Sequence, residues 1–234
     1  MKKSRIALLI LLAIATVALY LWFNNPLNGL VKSAIEKFGS EMTQTQVSVS
    51  RVKLSASNGR GTISDLSLGS PKGFKSPHAF KVDHIEVAIE AATVTDDVIL
   101  IHKILIAAPD IVYEKNDSGT NFHAIQRNVE RYLGSDKKPS PADKKTSKKM
   151  IIESLVIRDI KVSYNGMLNL TLPDIELHNI GKRNGGATSA QVVNAIIGEL
   201  NTKMAISLAK TAAIGAVGGV AVGVGMGIKS LLGK

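Results

Sequence analysis

The chain has 234 residues, no cysteine and a formal net charge of +10 at pH 7. Without cysteine it has no disulfide framework, cysteine nucleophile, thiolate zinc site or lipidated cysteine of the bacterial lipoprotein kind. The positive charge alone suits anionic lipid headgroups and nucleic acid equally well, so the placement of the chain must decide between them.

The first predicted element is a membrane anchor at residues 6–23, an unbroken run of 18 residues dominated by apolar side chains. As a helix this run is about 27 Å long, close to the thickness of a bilayer's hydrocarbon core. Lys2, Lys3 and Arg5 precede it, which predicts a cytoplasmic N-terminus and an exported body. A cleaved signal peptide is the alternative, but its candidate cleavage site lies inside the run. An exported, tethered chain meets lipid rather than nucleic acid, so we expect no nucleic-acid partner.

A short helix and a hairpin are predicted next. Apolar residues within 27–38 recur at steps of three and four, which predicts an amphipathic helix that ends at Gly39. From Val47 the period becomes two. The dipeptide at 58–59, Asn-Gly, then separates two alternating runs, which predicts a β-hairpin with one apolar and one polar face.

Two further groups of strands are predicted, with helices between and after them. The strand segments are residues 82–89, 98–107 and 111–113, followed by 151–157, 160–164 and 168–177. A helical stripe lies at 122–133 and a second helix at 188–205. Residues 135–149 contain six lysines, two aspartates and two prolines without a large apolar side chain, which predicts a disordered loop.

The C-terminal segment has a regular glycine spacing. Residues 211–228 carry no charge, and within them Gly215, Gly219, Gly223 and Gly227 recur every four residues. In a helix this spacing makes a smooth ridge on which another backbone can pack closely, as in membrane helix pairs. A flexible glycine-rich tail is the alternative.

Motifs for catalysis are absent from the sequence. The glycine-rich stretch before Lys229 lacks the spacing of a phosphate-binding loop, and no serine lies in a G-x-S-x-G elbow. No two of the five histidines are spaced as a helical metal-binding pair. We therefore expect no enzyme, catalytic residue, metal or cofactor.

Several short motifs resemble those of the AsmA-like family. They are IEKFGS at 35–40, VSV at 47–49, RGTISDLSL at 60–68, PKGF at 71–74, LPDIEL at 172–177 and TSAQ at 188–191. Together with the anchor they are similar to the N-terminal repeat of that family, over about residues 25–205. The resemblance implies a periplasmic protein of a Gram-negative bacterium, held in the inner membrane, with a curved antiparallel sheet related to bridge-like lipid transfer proteins.

From these observations we expect an α+β fold divided into an anchor (1–24), a β-rich periplasmic domain (25–205) and a glycine-rich helix (206–234) that associates with a membrane or another chain. The expected function is lipid binding in an apolar β-groove, contributing to phospholipid transfer or outer-membrane biogenesis. The candidate lining residues are Val49, Leu54, Ile63, Leu66, Val87, Ile89, Ile104 and Ile111.

Two alternatives remain open. The same eight side chains could form an ordinary core covered by the helices at 121–133 and 188–205. The protein could also be a non-catalytic scaffold or assembly factor that acts through its glycine ridge, with a second copy or a larger envelope protein as partner.

Overall fold

The computed structural model describes residues 26–55, 57–134 and 148–217. The predicted anchor, residues 135–147 of the lysine-rich loop, and Gly219, Gly223 and Gly227 lie outside the described residues. In the described part of the chain, three α-helices accompany one large curved sheet, so the fold is α+β.

Helix α1 spans Pro26–Thr43 and is longer than predicted. It does not end at Gly39 but continues for another turn, and Gln44 follows it with a left-handed φ of 55°. Gly39 instead allows the next strand to approach, because a Cβ there would lie 3.2 Å from the side chain of Val47. The glycine that indicated a helix end is a packing position.

Helix α2 spans Asn121–Gly134, and helix α3 spans Ser189–Val217. A capping box begins α3: the N–H of Gln191 donates to Oγ1 of Thr188 at 3.3 Å, and the N–H of Thr188 donates to Oε1 of Gln191 at 2.8 Å. The helix passes through residue 205, the expected domain boundary, and Leu208 beyond it is buried. None of the described helices is long and apolar enough to cross a membrane.

The strands match the predicted alternating segments closely. They are β1 (Val47–Ser48), β2 (Arg51–Leu54), β3 (Arg60–Gly69), β4 (His78–Ile89), β5 (Val98–Ala107), β6 (Asp110–Tyr113), β7 (Lys115–Asn116), β8 (Gly119–Thr120), β9 (Lys149–Arg158), β10 (Lys161–Tyr164), β11 (Leu168–Thr171) and β12 (Ile175–Ile180). Strands β2 and β3 pair antiparallel across the Asn-Gly turn, which confirms the predicted hairpin. The predicted strand at 168–177 is divided into β11 and β12.

Ten of the strands form the large sheet, arranged as six rows. A row here is one strand position across the sheet. Four rows each hold two consecutive strands that lie end to end, whereas β3 and β4 each form a row alone. The rows lie in the order β2 with β1, β3, β4, β5 with β6, β9 with β10, and β12 with β11. Strands β7 and β8 form a separate small hairpin.

The sheet is mixed rather than wholly antiparallel as expected. Strand β5 pairs parallel with β9, and β6 pairs parallel with β10. Parallel neighbours need a crossover connection, and α2 lies in the segment that connects β6 to β9. A helical stripe between two strand groups is typical of such a crossover, whereas the sequence pattern does not state which strands become neighbours.

The curvature of the sheet is concentrated where the rows are interrupted. Asp65 in β3, Ala108 after β5 and Asp159 after β9 all have positive φ, between 51° and 56° for the two aspartates and 49° for the alanine. The pairing registers on either side of these three residues place them in one line across the sheet. Local left-handed residues of this kind bend a strand and re-aim its side chains.

Candidate functional site

One face of the sheet, here called the inner face, carries apolar side chains in rows that cross the strands. The register aligns Val52, Ile63, Ile85, Ile106, Ile157 and Ile175 in one such row, and Val87, Ile104, Leu155 and Leu177 in the next. A third row contains Val47, Leu68, Phe80, Ile111, Val162 and Leu170. Buried residues of these rows and of the three helices form a single hydrophobic core.

The helices cover the inner face unevenly. At the β9 and β12 side, Leu155 and Ile175 are almost inaccessible, at 1% and 0% exposure, whereas Leu177 is half-buried. On β3, β4 and β5 the inner residues Ile63, Val87 and Ile104 are only half-buried. An apolar strip therefore remains partly accessible between the buried regions.

Six of the eight lining candidates belong to this partly accessible region. Leu54, Ile63, Leu66, Val87, Ile89 and Ile104 are half-buried and lie on the four adjacent strands β2 to β5; we call them the apolar strip. Val49 and Ile111 are different, because each is only 2% exposed. These two side chains have the ordinary core role that was the alternative for the whole set.

Gly61 shapes the strip at its β2 end. It lies opposite Leu54 in the register, and a Cβ on Gly61 would come within 2.4 Å of Cδ2 of Leu54. The leucine side chain therefore lies over the space that a side chain at position 61 would fill. A glycine in a strand often marks such a close approach, but the sequence alone does not identify what approaches.

Helices α2 and α3 are fixed over the other end of the inner face by polar contacts. The hydroxyl of Tyr113 donates to Oδ1 of Asn201 on α3 at 3.0 Å, and Nδ2 of Asn201 donates to Oε1 of Gln126 on α2 at 3.0 Å. The Tyr113 ring stacks on Phe122 with 5.4 Å between centroids. Burial raises the pKa of Tyr113 to about 12. This chain of contacts holds both helices against β6 and leaves the strip on β3 to β5 less covered.

The outer face of the sheet is mainly polar. Its row through Glu86, Leu105, Val156 and Glu176 illustrates the mixture of charged and apolar side chains. The most connected outer group is His102: Nδ1 lies 2.8 Å from Glu153 and Nε2 lies 3.3 Å from Glu90. Hydrogen bonds to Glu153 and then Glu90 raise the pKa of His102. The members of this cluster are far apart along the chain, so no sequence pattern indicates it.

The outer cluster is not arranged to hold a metal ion. Each carboxylate engages a different nitrogen of the His102 ring, so the three groups do not converge on one point. Among the described residues, no group of three or more histidine, aspartate or glutamate side chains is placed to hold a metal ion. A shallow depression of about 510 Å³ lies at the end of β12, lined by residues 178–179 and 181–184.

Of the four ridge glycines, Gly215 lies in α3. The helix therefore reaches the first glycine of the series as a continuous element. The other three glycines belong to the part of the chain that is not described.

Comparison of the chain with protein-family models gives no match. Comparisons with curated proteins and with solved structures also give none.

Proposed function

We propose that this chain is a periplasmic lipid-binding protein anchored in the inner membrane, and that it contributes to phospholipid transfer or outer-membrane biogenesis. The observation that carries the proposal is the apolar strip. Six apolar side chains on four adjacent strands are only half-buried, and five of them pack against the core, so part of each side chain stays accessible to a ligand. Accessible apolar surface, where it is contiguous, marks sites for ligands or partners.

The geometry of the strip suits acyl chains. Four strand rows at about 4.8 Å spacing make it about 14 Å wide. Each methylene that moves from water onto such a surface contributes about 0.8 kcal/mol, so a single acyl chain gains substantial free energy from partial burial. The strip offers no polar group for specific recognition of the hydrocarbon, which fits a ligand held by shape and apolarity.

The motif resemblance and the predicted anchor support the same proposal independently of the strip. An anchor places the domain next to a phospholipid reservoir, and the AsmA-like motifs imply relatedness to lipid transfer proteins. With only six rows, the sheet measures about 24 Å across. This span suits a short binding or entry module rather than a bridge between membranes.

The test compares two neighbouring residues of β5 that point to opposite faces. A photo-reactive amino acid is placed at Ile104 on the strip or at Leu105 on the outer face of the full chain in membranes, and the cross-linked lipid is identified by mass spectrometry. We expect phospholipid adducts at position 104 at several times the yield at 105. Equal labelling at the two positions, or none at 104, would contradict the proposal.

A loss-of-function pair completes the experiment. Ile104→Asn should reduce the phospholipid that remains bound after purification in detergent, because it places an amide in the strip. Leu105→Asn is the matched control and should retain wild-type lipid. Circular dichroism of both variants distinguishes lost binding from lost folding.

The second candidate function is scaffolding through the glycine ridge. It is favoured by the continuity of α3, which extends past the buried Leu208 to Gly215. Replacing both Gly219 and Gly223 with leucine should abolish assembly if the ridge packs against a partner helix. The same variant should retain lipid at position 104 if the strip is the functional surface.

A further inference from the structure

The two edges of the large sheet differ. The edge formed by β1 and β2 is covered by helix α1, and we call it the sealed edge. Three side chains of α1 accept hydrogen bonds from backbone N–H groups of the edge row, each at 2.9 Å. The pairs are Asn28 with Leu54, Glu36 with Val49, and Ser40 with Val47. Nζ of Lys32 also donates to the carbonyl of Ser50 at 3.2 Å. Another strand cannot add to this edge without displacing α1.

The opposite edge, formed by β12 and β11, has no such cover. In the part of the chain that the structure describes, no side chain or loop backbone bonds to the outer backbone groups of Ile175–Ile180. An open edge presents unpaired N–H and C=O groups in a row, which is a template for another strand. Asn179 interrupts the regular pairing with φ of 54°, so the regular part of the edge is residues 175–178.

We propose that the β12 edge pairs antiparallel with the β12 edge of a second copy, centred on Leu177. The sealed edge determines the symmetry. A head-to-tail contact would need two different free edges, whereas an isologous contact uses the same edge twice and ends at two copies. The assembly is therefore a closed dimer and not a filament.

The charges of β12 select this register. With Leu177 opposite its own copy, Glu176 of each chain faces His178 of the other. Both side chains are more than half exposed, at 61% and 56%, and the 3.7 Å contact between Nε2 of His178 and Oε2 of Glu176 within one chain is exchanged for the same contact across the new pair. A shift by two residues in one direction would place Glu176 opposite Glu176, and like charges directly opposite are unfavourable.

The ends of the paired segment are also complementary. In the same register, Asp174 of one copy lies opposite Ile180 of the other, two residues before the basic 3₁₀ turn Lys182–Asn184. This turn borders the 510 Å³ depression. The acidic residues 174 and 176 thus precede His178 and the basic turn along the edge, so an antiparallel second copy brings the acidic half of one edge towards the basic half of the other.

The proposed dimer joins the two inner faces. A two-fold axis perpendicular to the sheet keeps both inner faces on one side, so the apolar rows continue across twelve strand rows. At about 4.8 Å per row, the joined sheet measures about 53 Å. The inference does not depend on lipid binding, because it follows from the backbone and charges of the edge.

The test uses the absence of native cysteine. Full chains carrying Glu176→Cys or His178→Cys, with different tags, are mixed in detergent and oxidised mildly. We expect the 176–178 mixed disulfide at several times the yield of either homodimer. Lys53→Cys, an exposed outer position on the sealed edge, is the matched control and should remain monomeric.

The second test exchanges the charged residues of β12. The fraction of dimer is measured by sedimentation of the full chain. Glu176→Lys should weaken association about tenfold or more, and adding His178→Glu in the same chain should restore it. Both positions are exposed, so the fold is retained. A monomer at every concentration, failure of the restoring change, or capture of position 176 only by a different protein would overturn the proposal.

Discussion

Ala108 and Asp159 lie side by side in adjacent parallel rows, and both have a left-handed backbone, with φ of 49° and 56°. The N–H of Ala108 donates to the carbonyl of Arg158 at 3.0 Å. Paired residues are 51 positions apart both before and after the bend, in β5 with β9 and in β6 with β10. The two rows therefore bend together without losing register, and the curvature belongs to the sheet rather than to one strand.

The bend predicts an unusual response to glycine. Ala108 occupies a conformation that costs an L-residue about 1–2 kcal/mol, which Ala108→Gly relieves in part. We expect this variant to be more stable by about 0.5–1 kcal/mol, as measured by urea unfolding of the full chain in detergent. Ala107→Gly, one residue earlier in β5, is the control and should be destabilised by a similar amount. Equal destabilisation by both changes would contradict the role assigned to the bend.

Because α1 covers the sealed edge through hydrogen bonds, a substitution in α1 that removes one of them should lower the stability of the protein. Ser40→Ala removes the acceptor for the N–H of Val47, and we expect a loss of about 1–2 kcal/mol because a partly buried donor is left unpaired. Glu41→Ala, at an exposed position of the same helix, should change the free energy of unfolding by less than about 0.5 kcal/mol. Indistinguishable unfolding midpoints for the two variants would show that the edge is not held by this bond.

Sequence reasoning located most elements but not their arrangement. The apolar run from residue 98 to 107, which ends before Pro109, predicts the bounds of β5 correctly, although the burial of its side chains does not alternate strictly. It cannot show that β5 lies beside β9, since neighbours in a sheet are chosen by tertiary packing and the crossover through α2. Gly39 was misleading for a related reason: the residue type suits a helix end, and only the approach of Val47 shows why it is there.

The sequence predicts which apolar residues share the face that carries the strip, but it does not predict how exposed they are. The sequence selected the inner face correctly at Ile63, Val87 and Ile104, because they share a period of two with their neighbours. Whether a helix covers such a face depends on where α2 and α3 are fixed. That placement rests on contacts such as Tyr113 with Asn201, which are 88 residues apart.

Ionisation of Tyr113 should limit stability at high pH. Its pKa is raised to about 12 in the folded protein from 10.0, mainly by burial, so folding favours the neutral phenol. The contribution is complete below pH 10 and is lost as pH rises towards 12, and its order of magnitude is about 2–3 kcal/mol. The free energy of unfolding, measured between pH 9 and 12, should fall steeply as the pH rises. Tyr113→Phe should remove this component, although lysine deprotonation leaves a background in both proteins.

His102 should lose a stabilising contribution as pH rises. Its pKa is raised above 6.5 in the folded state by the hydrogen bond to Glu153 first and to Glu90 second. A raised pKa means that the charged ring is favoured by folding, so the contribution is present below pH 6.5 and disappears as pH passes the folded value. NMR titration of the ring should give a larger fall in pKa for Glu153→Gln than for Glu90→Gln. Glu86→Gln is the control, and an equal effect from all three would refute the assignment.

Two glycines in neighbouring positions should respond oppositely to a methyl group. Gly59 has φ of 64°, and a Cβ there would lie 2.0 Å from the backbone carbonyl oxygen of Ile89, which cannot move without opening the sheet. At Gly61 the main obstacle is the end of the flexible Leu54 side chain, which can rotate away, and the backbone carbonyl oxygen of Lys53 lies 3.3 Å from the added Cβ, a contact that a small shift relieves. We expect Gly59→Ala to destabilise the protein by more than about 2 kcal/mol and Gly61→Ala by less than about 1 kcal/mol.

The comparison also reports on the strip. Displacing Leu54 changes the apolar surface at its β2 end while the backbone stays in place, so Gly61→Ala should lower phospholipid cross-linking at position 104 without a matching loss of stability. Gly59→Ala should lower both together. If Gly61→Ala left cross-linking unchanged, the lipid would have to lie only over β4 and β5, and Leu54 would be no part of its site.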